Sequence, residues 1–228
     1  LKSQESEGYD IGLRYFKDSL NIDASYYEID TTNELQYRNN LNRNVDPIER
    51  QGVDVDFGYT FDQSNKVKGS FSYTIAEFTA GTLTPGVSTY GETFAPTTWQ
   101  NLLGGVETLS LKGKSVPLIS PIQFSFAYET EVRNNLTLDV ELNYLDKKYV
   151  SNDEENIEPQ IPAYYFVNTY LSSVNTNYTL NFGINNVFDK AAYNFAISST
   201  FHDDAHYGLS SVYPLPGRNL FFDLVYTF

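Results

Sequence analysis

Few residues in this chain can carry chemistry: it has two histidines, no cysteine and no methionine. Both histidines fall in one stretch, FHDDAHYG, from Phe201 to Gly208. His202, His206 and Asp203 offer imidazole nitrogens and a carboxylate, a donor set that suits a transition metal. A loop imposes no ligand spacing, so the same residues also suit a solvated loop tip, the plainer reading. An Asp/His pair is part of a hydrolytic site too, but no Gly-x-Ser-x-Gly elbow accompanies it. Tyr90, Phe94 and Trp99, the last being the sole tryptophan, sit in one long loop. Their rings can stack on a catechol-like ring or a sugar, or simply pack loop against loop. Tyr213 and Arg218 complete the candidate ligand-contacting set. The guanidinium of Arg218 suits either a structural pairing with carboxylates or a ligand. Asn185, Asn186, Asp189 and Lys190 read as turn chemistry ending a strand. The acidic run SNDEENIE, Ser151 to Glu158, reads as a solvated loop, with Ca²⁺ or a divalent-cation bridge to lipopolysaccharide as the alternative. No catalytic residue and no cofactor are called for.

Composition narrows the classes. The net charge of -14, from 29 acidic and 15 basic residues, excludes nucleic acid, which needs a basic face. Absence of cysteine removes disulfide frameworks and thiolate metal sites. Mean hydropathy of -0.38 leaves no apolar run of about 18 residues for a membrane helix. Aromatics make up 16% of the chain, with 19 Tyr and 16 Phe, an excess that fits aromatic girdles at membrane interfaces. A Tyr-rich soluble β-sandwich fits the same composition. The opening LKSQESEGYD lacks both an initiator Met and the outline of a secretion signal. The chain therefore reads as a piece of a longer protein.

The elements that must hold these loops announce themselves by alternation. Tyr9, Ile11, Leu13 and Tyr15 recur at every second position, as do Leu20, Ile22, Ala24 and Tyr26. Val53 to Phe61, Val67 to Ile75, Phe124 to Tyr128, Leu136 to Tyr144, Tyr165 to Leu171 and Tyr178 to Ile184 continue the series. The last strand ends the chain, with Leu220, Phe222, Leu224, Tyr226 and Phe228 on one face. Period two means strands with one apolar face, about nine of them, each near the length that crosses a bilayer obliquely. Asp54, Asp56, Asp139, Glu141 and Asp223 fall mid-strand on the opposite faces. A dry core cannot accept them, whereas a wet lumen or the solvated face of a soluble sheet can.

The connections choose between these. Lys17 to Ser19, Asp62 to Asn65, Val132 to Asn134 and Val174 to Asn177 are tight polar turns. Thr31 to Glu49, Thr79 to Val116, Ser151 to Gln160 and Lys190 to Leu215 are long, apparently structureless links. Short turns at one end and long loops at the other describe an outer-membrane barrel, and a compact domain rarely carries several such loops. The expected fold is all-β, an antiparallel transmembrane β-barrel. An odd count near nine does not close a bacterial barrel, which again points to a fragment unless a strand hides between Thr79 and Val116.

INNVFDKAAY, Ile184 to Tyr193, followed by PGRNLFFDLVYTF, Pro216 to Phe228, resembles the closing segment of TonB-dependent outer-membrane receptors. YYEIDTTNELQY (Tyr26 to Tyr37), ERQGVDVDFGYTF (Glu49 to Phe61), GSFSYTIAEF (Gly69 to Phe78) and IPAYYFVNTYL (Ile161 to Leu171) follow in the same order. The resemblance implies that residues 1 to 228 are the last nine or so of about 22 strands, with the plug, the TonB-contacting segment and the early strands before Leu1. It implies import of a scarce nutrient, a ferric siderophore first, across the bacterial outer membrane with energy from the TonB complex, and no enzymatic activity. Implied partners are outer-membrane lipid, lipopolysaccharide and the barrel assembly machinery, which reads the terminal signal Phe222, Leu224, Tyr226 and Phe228. A passive porin and a carbohydrate-binding sandwich remain the alternatives.

Overall fold

The computed structural model describes residues 1–38, 41–83, 109–198 and 210–227, and among these every regular element is a strand. In chain order they are β1 (Glu5–Lys17), β2 (Leu20–Thr32), β3 (Leu35–Arg38), β4 (Leu41–Asn44), β5 (Ile48–Thr60), β6 (Asn65–Phe78), β7 (Thr82–Leu83) and β8 (Leu109–Ser110). β9 (Ile122–Arg133), β10 (Leu136–Leu145), β11 (Tyr164–Val174), β12 (Tyr178–Asn185), β13 (Tyr193–Ser198), β14 (Ser210–Pro214) and β15 (Asn219–Tyr226) follow. Nine of them make one antiparallel sheet in the order β1-β2-β5-β6-β9-β10-β11-β12-β15, an up-and-down meander. The remaining six pair as three ribbons, β3-β4, β7-β8 and β13-β14.

Register carries each face across the whole sheet. Leu13, Ala24, Val55, Phe71, Phe124, Tyr144 and Tyr165 stand opposite one another on successive strands. Leu171, Phe182 and Phe222 extend the apolar face to β15. One position over, Arg14, Asp23, Asp56, Ser70, Ser125, Asn143 and Phe166 form a row on the other face. The apolar face is open: Ile11, Leu13 and Phe222 are each 68% exposed. An apolar face this wide is at home against lipid rather than water. Near its upper end Tyr9 and Tyr26 both donate to Glu28, at 2.8 and 3.0 Å, as interfacial tyrosines do with one polar tip.

The polar face is knitted by side chains. Ser70 meets Ser125 at 2.8 Å, Lys66 pairs with Glu129 at 2.8 Å, Arg14 with Asp23, and Asn181 donates to Asp223. Gly52 lies flat so that Tyr27 can cross it and reach Thr74 on the next strand but one, at 2.8 Å. Asp54, Asp56, Asp139, Glu141 and Asp223 all belong to this face.

The tight turns are built as their residue types demand. Asp18 and Asn135 carry the positive φ, 51° and 67°, of the β1–β2 and β9–β10 turns. Asp62 accepts from the N–H groups of Ser64 and Asn65 at 2.8 and 2.9 Å between β5 and β6. At the opposite end the expectation of structureless links is corrected. Three of the four long links carry the ribbons β3-β4, β7-β8 and β13-β14, because a chain leaving a hairpin end pairs its own backbone groups. β7 and β8 are short and lie outside the large sheet, so the described residues of that link add no tenth wall strand.

A sheet one layer thick has no interior, and apart from Ala127 on β9 the buried apolar side chains among the described residues lie in these links and at the strand ends beside them. Ile48, Ala76, Phe78, Leu111 and Val116 form one cluster; Val150, Ile161 and Ala196 form another.

Candidate functional site

The geometry of the rim where the long links emerge is set by asparagine and aspartate. Asn186 follows β12 with φ 53° and is buried. Its Oδ1 accepts from the Lys190 N–H at 2.8 Å and its Nδ2 donates to the Lys190 carbonyl at 2.9 Å, closing a tight turn. Asp189, also at φ 53°, accepts from the Arg218 N–H at 2.7 Å. A Cβ on Gly217 would stand 2.9 Å from that carboxylate, so glycine allows the close approach. The guanidinium of Arg218 reaches the Val187 carbonyl at 3.4 Å. The two closing motifs thus clamp the outer ends of β12 and β15 together, and Lys190 lies over the Tyr165 ring at 5.6 Å.

Elsewhere on the rim Asn44 receives the Lys2 N–H and donates to the carbonyls of Lys2 and Asn33, and Arg50 pairs with Glu34 at 2.6 Å. The acidic run departs from the expected solvated loop: Asp153, Glu154 and Glu158 are buried. Asp153 accepts from the N–H groups of Ile157 and Glu158 at 2.9 and 3.2 Å, a turn that draws the carboxylate inward. Burial pushes the Asp153 carboxyl above its ordinary value against the pull of those two N–H groups, and burial lowers the Lys148 ammonium.

Of the residues singled out from sequence, Tyr90, Phe94, Trp99, His202, His206 and Phe228 lie outside the described residues. Tyr213 is on β14, 59% exposed, its ring edge-on to Phe195 at 5.2 Å. Arg218 is exposed at the β15 entrance, its backbone N–H being one half of the clamp. Phe222, Leu224 and Tyr226 stand on the exposed apolar face of β15. Among the described residues no group of acids or histidines is placed to hold a metal. Down the polar face a depression of about 340 Å³ is lined by Asp56, Lys68, Ser70, Ser125, Glu141 and Asn143. Sequence reasoning missed Asn44, and it read Asp153 and Asn156 only as members of a solvated acidic run. Their only sequence signal is residue type in a polar stretch, which does not say what they bond.

A meander sheet apolar on one whole face and charged on the other, with tight turns at one end and structured loops at the other, is the wall of a membrane β-barrel. Residues 1–187 match the family model described as TonB dependent receptor-like, beta-barrel, and the chain belongs to that family. Among solved structures, the ferric yersiniabactin uptake receptor FyuA from Yersinia pestis is similar with a TM-score of 0.69 at 12% identity, over 97% of this chain and 29% of that one. The siderophore receptor PiuA from Acinetobacter baumannii gives 0.68 at 17% identity, over 96% and 28%. The ferric-catecholate import receptor Fiu from E. coli K12 gives 0.65 at 15%, over 98% and 27%. At these identities the likeness is one of fold, and the chain spans under a third of each structure's length. No curated protein matches the sequence.

Proposed function

We propose that this chain forms the C-terminal wall and rim of a bacterial outer-membrane receptor that imports a scarce nutrient, a ferric siderophore. The reading rests above all on the family match over residues 1–187. It draws support from the similarity to a ferric yersiniabactin uptake receptor, a ferric-catecholate import receptor and a ferric citrate transporter. Residues 1 to 228 then contribute wall, and a plug domain fills the lumen against the polar face. TonB pulling on that plug supplies the energy, and the chain itself performs no covalent chemistry. The ligand meets the rim through Tyr90, Phe94, Trp99, His202, His206, Tyr213 and Arg218, by ring stacking and hydrogen bonding.

The test is genetic and direct. A strain lacking the intact gene is grown on a panel of ferric siderophores, ferric citrate, cobalamin and glycans as sole sources. Loss of growth on one of them, restored by the gene, supports import. Normal growth on all of them, together with steady ion conductance by the purified protein, would replace the receptor with a passive channel.

A further inference from the structure

Three of the outer connections share their bonds and their buried surface. The stretch 109–121 entering β9, the link 146–163 between β10 and β11, and strand β13 meet at one place. Asn156 receives the Ser115 N–H at 2.7 Å and returns a bond to the Ser115 carbonyl at 3.0 Å. The Leu118 N–H donates to the Tyr149 carbonyl at 2.9 Å, and Ser151 donates to the Ala196 carbonyl at 2.8 Å. Lys148 and Ile161 exchange backbone bonds at 3.2 and 2.8 Å, which closes the middle link on itself. Val150, Ile161 and Ala196 are at most 2% exposed and pack with Leu118 and Tyr193, so the cluster draws on all three connections. Leu118 sits at φ 65°, a left-handed conformation that a bulky side chain adopts only where its surroundings over-determine it.

We propose that these three connections form a single collar that opens as one cooperative unit, not as independent loops. The middle link bonds both of the others through its backbone, and all three contribute to one apolar cluster, so opening any one of them strips contact from the rest, which is the condition for a shared opening transition. Val116, bonded to the Ala76 carbonyl and packed with Ile48, Phe78 and Leu111, ties the collar to the ends of β5 and β6. Rearrangement around a ligand at the mouth then moves the three together or leaves all three in place.

Hydrogen exchange on the intact receptor in detergent, read residue by residue, tests this without knowledge of the ligand. Asn156→Ala loses both bonds to Ser115 and leaves alanine at φ 58°, so it should speed exchange by about a hundredfold or more at Ser115 and Leu118 and equally at Ser151 and Ile161. Val150→Ala, a perturbation from the apolar side, should accelerate the same four amides by a common factor. The wall amides of Val67 and Phe126 should keep wild-type rates in both, which shows that the barrel is intact. Acceleration confined to Ser115 in the first variant, or to residues 146–163 in the second, overturns the collar.

Discussion

Replacing Asn186 by alanine should open the clamp between the two closing motifs, and the cost can be worked out bond by bond. The side chain is 4% exposed and satisfies the N–H and the carbonyl of Lys190 at 2.8 and 2.9 Å. Its third contact, to the Pro216 carbonyl at 3.4 Å, is long enough to count for little. Alanine leaves two screened backbone groups without partners, at about 1 to 2 kcal/mol each. It also places a Cβ-bearing residue without a helpful amide at φ 53°, for about 1 kcal/mol more. The sum, about 3 to 5 kcal/mol, corresponds to local opening roughly 10² to 4 × 10³ times more frequent. Glycine loses the same bonds but sits easily at positive φ, so it should be about fivefold less severe. Aspartate keeps the acceptor for the Lys190 N–H and should fall between wild type and glycine. Hydrogen exchange at the amides of Lys190 and Arg218 reports both halves of the clamp, because the Arg218 N–H bonds Asp189 and the Asp189 N–H bonds the Asn186 carbonyl at 2.8 Å. Equal rates for Ala and Gly would refute the strain argument. An Arg218 amide indifferent to all three substitutions would refute the coupling of the motifs.

Two further expectations follow from the wall and the rim. Gly52→Ala would bring a Cβ to 2.6 Å from the Tyr73 carbonyl and against the Tyr27 ring, costing about 1 to 3 kcal/mol. Tyr27→Phe, which loses only the bond to Thr74, should cost about 1 kcal/mol, and thermal unfolding of the detergent-solubilised receptor ranks the two. A Gly52→Ala variant as stable as wild type would contradict the close crossing of Tyr27. Asp153 binds its proton more readily folded than unfolded, because its folded value lies above the ordinary one. Its effect therefore favours the fold as pH falls through the raised value, is complete below about pH 4, and is lost as pH rises again. Asp153→Asn should remove this pH dependence from exchange at Ile157 and Glu158, corrected for intrinsic rates, and unaltered dependence would assign it to another group.

The wall was legible because a strand writes its two environments at alternate positions, and register then only has to be kept. Leu136 to Tyr144 and Val53 to Phe61 showed this without help from any neighbour. The turns were legible for a similar reason, since Asp18 and Asn135 are among the few side chains content at positive φ. The rim was not. SNDEENIE has the composition of a solvated loop, yet Asp153, Glu154 and Glu158 are buried. Whether a carboxylate turns toward its own backbone or toward water depends on the local turn, and here the Asp153 carboxylate accepts from the N–H groups of Ile157 and Glu158. The ribbons went unread because they are too short to show a periodicity.

What the sequence by itself determined is the two-faced wall, its direction of travel and its family likeness, all of them properties of local order along the chain. Tertiary structure alone decided that the Asn186 turn and Gly217 to Arg218 are one clamp across 29 residues, and that three distant connections share one buried cluster. Those pairings are made between backbone groups and small side chains that look alike everywhere in the sequence. Only the nine-stranded sheet, by fixing where each strand ends, brings the right ones within reach.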